Sequence, residues 1–116
     1  MLEIGCCEAN RLAWLAEHLG ADVCGLESSS KAIELAVKKG VHVEYGSADH
    51  LPFESGSFDV VIFGFCLYLC DREDLFKIAQ EADRVLKKKS WLVISDFFSP
   101  TPVSRIYHHK QRSLLF

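Results

Sequence analysis

Short hydrophobic runs alternate along the chain with longer segments in which hydrophobic residues recur at helical spacing. The short runs predict β-strands at residues 1–5, 22–26, 41–45, 58–63 and 91–97. The longer segments predict helices at residues 9–19, 28–39 and 71–87. Gly20 follows the first predicted helix as a stop signal, and Ser28 and Asp71 can cap the other two.

This alternation of strands and helices predicts an α/β fold with a parallel sheet and right-handed crossovers. We expect a Rossmann-like, doubly wound sheet with the strand order 3-2-1-4-5, in a three-layer α/β/α arrangement. The order reverses between the first and fourth strands. Ligands of such sheets bind at the carboxyl ends of the strands that flank the reversal.

Composition narrows the class of protein. The chain has 116 residues, 49% of them hydrophobic and 25% charged, which is typical of one globular domain. The net charge is −3, so it gives no sign of a nucleic-acid partner. Seven basic and fifteen acidic residues lie in 1–86, whereas six basic residues and one acidic residue lie in 87–116. The basic end is best explained as solvated surface, and an acidic partner is the alternative.

The chain gives no sign of membrane insertion or export. Its longest apolar run, at residues 60–70, is about half the ~20 residues that a spanning helix needs. Glu3 stands where a signal peptide would carry basic residues. Five cysteines without a disulfide-framework spacing favour reduced thiols, and therefore a cytoplasmic location.

Candidate ligand-binding residues follow several predicted strands. Gly5 permits a sharp turn into a helix whose first N–H groups attract negative charge. Glu27 lies 22 residues after Gly5, where an acid that binds ribose hydroxyls is expected. Asp49 follows the third strand, and Phe65 follows the fourth. Each residue alone also suits a turn or a surface position, but together they indicate a ligand site.

Four segments together resemble one family. They are LEIGCC, VCGLESSSKAIELA, YGSADHLPFESGSFDVVIF and EADRVLKKKSWLVISDF. In this order they are similar to class I S-adenosylmethionine-dependent methyltransferases of the small-molecule type. The resemblance covers residues 1–97, which are expected to form the cofactor-binding domain, and leaves 98–116 as a C-terminal tail. Family members continue after the fifth strand, so the resemblance implies a chain truncated there or completed by a partner chain.

The resemblance assigns cofactor roles by position. It places the methionine portion beside Glu3 and the loop after the first strand, the ribose on Glu27, and the adenine in the loop around Asp49. It places Phe65 near the methyl-transfer region. The full set of implied cofactor-binding residues is Glu3, Gly5, Cys6, Cys7, Glu27, Ser28, Ala48, Asp49, His50 and Phe65.

The loop after the first strand departs from two glycine patterns. A dinucleotide fingerprint needs glycine where Cys7 and Asn10 stand, which disfavours a nicotinamide cofactor. S-adenosylmethionine has no pyrophosphate, so the full pattern is unnecessary for it. The resembled family has glycine where Cys7 and Ala9 stand. If the turn at Cys7 needs a positive φ, we expect the strained backbone to lower the free energy of unfolding by about 1 kcal/mol or more.

Methyl transfer needs alignment of nucleophile, methyl and sulfur, and a general base only when the nucleophile must lose a proton. His50, Tyr68 and Asp96 are candidate bases, but the sequence assigns none of them as catalytic. Cys6, Cys7, Cys66 and Cys70 raise the alternative of a metal site. Adjacent Cys6 and Cys7 lack the usual spacing of paired zinc ligands, so free thiols and no metal are expected.

The sequence leaves three functions open. The first is methyl transfer to an unidentified, small-molecule acceptor. The second is a remnant that binds the cofactor without catalysis, and the third is an NAD-binding oxidoreductase fragment. An exposed fifth strand would also permit a homodimer through the sheet edge.

Overall fold

A computed structural model of the chain describes residues 1–97, 99–101, 105–106 and 114–115. The main elements are β1 (Leu2–Ile4), α1 (Asn10–Leu19), β2 (Cys24–Glu27), α2 (Ser30–Lys38), β3 (Val43–Tyr45), β4 (Phe58–Gly64), α3 (Leu75–Val85) and β5 (Leu86–Ser95). Short 3-10 helices lie at Leu67–Leu69 and Arg72–Asp74. Most of the predicted tail, 98–116, lies outside the described residues. In its described part, β6 (Arg105–Ile106) pairs antiparallel with β7 (Leu114–Leu115).

The five main strands form one parallel sheet in the order β3-β2-β1-β4-β5, which confirms the predicted topology. β1 lies at the centre, where Leu2 is in register with Cys24 on one side and with Val61 on the other. The strand order reverses between β1 and β4. The carboxyl ends of these strands are therefore where a ligand cleft is expected.

Two hydrophobic clusters cover opposite faces of the sheet, as the three-layer prediction requires. One packs α1 and α2 residues against the loop after β1 and against β3, and contains Cys6, Ala9, Leu12, Ala36, Val41 and Val43. The other packs α3 against β1 and β4, and includes Leu2, Ile4, Val61, Phe63, Ile78, Ala82 and Val85. The first cluster thus packs the loop after β1 against α1 and α2, at the carboxyl end of that strand. None of the described helices is long and apolar enough to cross a membrane.

Two predicted elements differ from those observed. The third helix begins at Leu75 rather than Asp71, because the preceding residues form a tighter 3-10 turn. It ends at Val85, and β5 begins at Leu86 instead of Trp91. Leu86 pairs with Phe58 before the register shifts, and Lys89 has a positive φ of 56° within the shifted segment. A break in strand pairing of this kind leaves no periodic signal in the sequence.

β4 is buried on both faces only in its carboxyl half. Val61, Ile62 and Phe63 are buried, but Phe58–Val60 is more exposed. The reason is the length of β1, whose three residues pair only with residues 61–63 of β4.

An ion pair between the buried Glu81 and the partly exposed Arg84 holds the long connection between β3 and β4. The Glu81 carboxylate accepts hydrogen bonds from the Leu51 N–H at 2.9 Å and from Arg84 Nε at 2.6 Å. Arg84 also donates to the carbonyl oxygens of Leu51 at 3.0 Å and Phe53 at 2.7 Å. The hydrogen bonds that Glu81 accepts from Arg84 and from the Leu51 N–H lower the pKa of Glu81 to about 2. The pair therefore ties α3 to residues 51–53, which belong to the resembled segment YGSADHLPFESGSFDVVIF.

Candidate functional site

A cleft of about 740 Å³ opens at the carboxyl ends of β1, β2 and β4. It lies at the predicted reversal of strand order. The residues expected to bind a cofactor that also line this cleft are Glu3, Gly5, Cys6, Cys7, Glu27, Ser28, Ala48 and Phe65. The topology therefore brings together residues that are up to 62 positions apart in the sequence.

Asp49 and His50 do not line the cleft, although Ala48 beside them does. They belong to a tight turn after β3. Ser47 Oγ donates to Asp49 Oδ1 at 2.5 Å, and the His50 N–H donates to the Ser47 carbonyl oxygen at 3.2 Å. The assignment of both residues to the adenine stays a prediction.

Three residues of the loop after β1 have left-handed backbone conformations. Gly5 has a φ of 73°, Cys7 of 52° and Ala9 of 61°. Cys7 thus has the positive φ at which we expect its backbone to be strained. A non-glycine residue in this region costs roughly 1–2 kcal/mol. At Gly5 an added Cβ would also lie 2.6 Å from Cys66 Cβ, so this turn needs glycine for space as well as for conformation.

Glu27 connects the end of β2 to the loop after β1. Its Oε2 accepts a hydrogen bond from the Cys7 N–H at 2.8 Å. Its Oε1 accepts from the N–H groups of Ser28 at 2.8 Å and Ser29 at 3.1 Å. The carboxylate is thus held in one orientation at the cleft. An ionised carboxylate has about four acceptor positions, which leaves capacity for a ligand hydroxyl.

Glu3 places a buried carboxylate in the wall of the cleft. Only 4% of the residue is exposed, and its Oε1 lies 3.1 Å from Arg11 Nη1. Within the described part of the chain, Oε2 is buried without a hydrogen-bond partner. Burial raises the pKa of Glu3, and the nearby Arg11 charge partly offsets this rise. An unpaired buried carboxylate oxygen is costly, so a cationic donor in the cleft would stabilise it.

Gly64, at the end of β4, provides the space for this carboxylate. An added Cβ at Gly64 would collide with Glu3 Oε1 and approach Arg11 Nη1 to 3.4 Å. The pairing of Glu3 with Arg11 therefore depends on a glycine 61 positions further along the chain. Sequence reasoning missed both Arg11 and this role of Gly64, because neither has a local signal.

Lys39 anchors the loop after β1 from the end of α2. Its Nζ donates to the Glu8 carbonyl oxygen at 3.0 Å and to Asn10 Oδ1 at 2.6 Å, and it also pairs with the Glu8 carboxylate at 3.2 Å. The sequence suggests only that lysine suits the helix end. The structure adds a positioning role, because these bonds flank Ala9 in its left-handed conformation.

Four cysteines line the cleft, namely Cys6, Cys7, Cys66 and Cys70. None of the five cysteines takes part in a disulfide bond. Burial is the main cause that raises the pKa of Cys6 and Cys66 to about 12, so both thiols stay protonated at neutral pH. Across the described residues, no group of three or more His, Cys, Asp or Glu side chains is placed to hold a metal ion.

The three candidate bases lie at different places. Tyr68 and Asp96 line a second, smaller cleft beside the carboxyl end of β5, whereas His50 lies in the turn after β3. Asp96 Oδ1 accepts a hydrogen bond from the Phe97 N–H at 2.8 Å. This geometry assigns no proton transfer to any of them. The first cleft can instead bind a cation at Glu3 and hydroxyl groups at Glu27.

Among known proteins, the chain is similar to methyltransferases. A family model described as "Methyltransferase domain" matches residues 2–94. A demethylmenaquinone methyltransferase of Thermotoga maritima is 40% identical over 89 residues, which cover 73% of this chain and 36% of that protein. One of Staphylococcus haemolyticus is 33% identical over 107 residues, which cover 86% of this chain and 44% of that protein.

A solved structure from Thermotoga maritima shares the fold at a TM-score of 0.66 and 31% sequence identity. It is described as a SAM-dependent methyltransferase, possible histamine N-methyltransferase, and the match covers 80% of this chain and 42% of that one. The chain thus spans less than half the length of these relatives.

Proposed function

The chain belongs to the methyltransferase-domain family, and from this we propose that it binds S-adenosylmethionine and transfers its methyl group to a small-molecule acceptor. The observation that carries the proposal is the buried side chain of Glu3, which lines the cleft and whose Oε2 has no hydrogen-bond partner among the described residues. A carboxylate there suits the ammonium group of the cofactor's amino-acid end far better than it suits a phosphate.

Charge complementarity extends this assignment to Arg11. The amino-acid end of the cofactor is zwitterionic, and the cleft presents the Glu3 carboxylate beside the Arg11 guanidinium. A guanidinium has five N–H donors in a fixed fork, so Arg11 can pair with Glu3 and still donate to a carboxylate. We therefore assign the ammonium to Glu3 and the carboxylate to Arg11 and the N–H groups of the loop after β1.

The remaining assignments follow the strand ends. Glu27 would accept a hydrogen bond from the ribose hydroxyls, with Ser28 beside the adenosine. The turn that contains Ala48, Asp49 and His50 would contact the adenine, and Asp49 would accept from its amino group. Gly5, Cys6 and Cys7 would approach the methionine portion through their backbone, and Phe65 would lie near the methyl group.

The chain's own contribution to the reaction is alignment. When bound, S-adenosylmethionine supplies a methyl group on a sulfonium sulfur, which leaves as a neutral thioether while the acceptor's electron pair forms the new bond. The residues of the cleft orient the reacting groups, and such positioning can contribute several kcal/mol to lowering the barrier. An acceptor that must lose a proton would release it to solvent or to a base, which we do not assign.

The proposed partner is a small-molecule acceptor, and self-association through β5 is a second proposed contact. β5 ends the five-stranded sheet, and its Trp91, Leu92, Val93 and Ile94 are exposed. Sedimentation over a range of concentrations tests this contact, and a monomer at the highest concentration would reject it. Five cysteines without a disulfide bond between them favour a reducing compartment, so we propose a cytoplasmic location.

Calorimetric titration with S-adenosylmethionine, its demethylated product S-adenosylhomocysteine, and NAD tests the cofactor. We expect both adenosyl ligands to bind and NAD not to bind. Binding of NAD alone would favour the oxidoreductase alternative and reject our proposal. Release of S-adenosylhomocysteine in the presence of acceptor candidates then separates methyl transfer from cofactor binding without catalysis.

A further inference from the structure

Three aromatic side chains form a cluster at the carboxyl ends of β4 and β5. The ring of Phe97 lies 5.3 Å from that of Phe65 and 5.0 Å from that of Tyr68, measured between ring centroids. Phe97 is 71% exposed and Phe65 is 44% exposed. Large aromatic faces left open beside a ligand cleft are uncommon on a protein surface and point to a binding role.

The residues of this aromatic cluster line two neighbouring clefts. Phe65 lines the cleft assigned to the cofactor, whereas Tyr68 and Phe97 line the second cleft, of about 410 Å³. Cys70 lines both clefts, so they are neighbours at this rim of the sheet. The second cleft is walled by apolar groups from Leu67, Leu75 and Ile94, with the charged groups of Arg72 and Asp96 also among its lining residues. An apolar pocket with a few polar groups is typical of small-molecule sites.

Phe65 is held in this cluster by a strained backbone. Its φ is 51°, in the region that bulky residues rarely adopt, and its N–H donates to the Ser95 carbonyl oxygen at 2.7 Å. Asp96 Oδ1 accepts from the Phe97 N–H, which fixes the adjoining strand end. Strain of this kind persists where surrounding structure enforces it, and it concentrates at ligand sites.

We propose that the aromatic cluster of Phe65, Tyr68 and Phe97 binds the methyl acceptor, and that this acceptor carries a planar aromatic ring. The inference rests on the proposed function, because it places the acceptor beside the cofactor cleft. Aromatic rings pair in offset or edge-to-face geometry and gain stability beyond the burial of area. A planar ring in the second cleft can therefore contact Phe97 and Tyr68 while its substituent faces the shared boundary with the first cleft.

The test compares 2-naphthol with its saturated analogue, decahydro-2-naphthol, by calorimetry or fluorescence titration, with and without S-adenosylhomocysteine. We expect wild type to bind 2-naphthol more tightly than the saturated analogue. Phe97→Leu keeps an apolar side chain but removes the ring, and should weaken 2-naphthol binding roughly three- to tenfold. Phe76→Leu is the matched control, because Phe76 is 91% exposed on α3 and lines neither cleft.

The outcomes separate this inference from the proposed function. If wild type fails to bind S-adenosylhomocysteine, the proposed function is wrong whatever the naphthol result. If wild type binds S-adenosylhomocysteine but binds both naphthols equally, or if Phe97→Leu has no more effect than Phe76→Leu, the aromatic acceptor site is wrong. A Phe97→Leu variant that changes a dimer into a monomer and leaves 2-naphthol unbound would identify the cluster as an interface between copies.

Discussion

The carboxylate of Glu27 accepts a 2.8 Å hydrogen bond from the backbone N–H of Cys7, across the gap between β2 and the loop after β1. The bond joins the residue assigned to the ribose with the loop assigned to the methionine portion. Two further N–H groups, of Ser28 and Ser29, hold the other oxygen of Glu27. One carboxylate therefore organises the cleft before any ligand arrives.

Replacement of Glu27 should abolish most of the cofactor affinity. In Glu27→Ala, loss of the charge-assisted hydrogen bond to the ribose, together with the bond that holds the Cys7 N–H, is expected to weaken S-adenosylhomocysteine binding by roughly 10- to 100-fold. Calorimetric titration measures the effect. Glu34→Ala, at an exposed position on α2, is the control and should bind as wild type does. Equal affinity of Glu27→Ala and wild type would reject the ribose assignment.

Replacement of Cys7 by glycine should stabilise the protein. Glycine adopts the φ of 52° without the Cβ penalty, so the free energy of unfolding should rise by about 0.5–1 kcal/mol after allowance for the greater freedom of the unfolded chain. Urea unfolding measures this change. Cys7→Ala removes the thiol but keeps the Cβ, and should leave stability near that of wild type. A gain in Cys7→Ala equal to that in Cys7→Gly would show that strain is not the cause.

Replacement of Gly64 by alanine should destabilise the protein through Glu3. The new Cβ would collide with Glu3 Oε1, and overpacking of this kind costs roughly 1–3 kcal/mol. Gly64 has no positive φ, so the effect is steric. In a Glu3→Ala background the collision is absent, and the cost measured by urea unfolding should fall. An unchanged cost in that background would contradict the assigned contact.

Glu81 should make stability depend on acidic pH. Hydrogen bonds from Arg84 and from the Leu51 N–H lower its folded-state pKa to about 2, below its ordinary value of 4.5. The stabilisation is therefore fully present above pH 4.5 and is lost as the pH falls from 4.5 towards 2. Urea unfolding between these values should show a shallower pH dependence for Glu81→Gln than for wild type.

The control for the pH series is Glu17→Gln, which changes an exposed carboxyl group on α1. It should keep the wild-type dependence. If Glu81→Gln also keeps that dependence, the ion pair with Arg84 does not contribute to the acid sensitivity of the fold.

Local patterns were sufficient to predict the order of the strands and the rim on which the cleft lies. Hydrophobic periodicity reports which face of each element is buried, and the alternation of elements restricts how they connect. The same reasoning placed Gly5 and Glu27 at strand ends, where they line the cleft. It predicted less well where local geometry changes within a few residues, as at the start of α3 and in the irregular pairing of β5.

The sequence by itself thus determined the topology of the sheet and the strand ends at which a ligand can bind. Only the tertiary structure decided the contacts between distant residues: the space at Gly64 for the Glu3 carboxylate, the anchoring of the Cys7 loop by Glu27 and Lys39, and the meeting of Phe65 with Phe97. The physical reason is that hydrophobic periodicity depends only on the residues of one helix or strand. Hydrogen bonds, steric fit and ring contacts across the sheet depend on distances that exist only after the chain has folded.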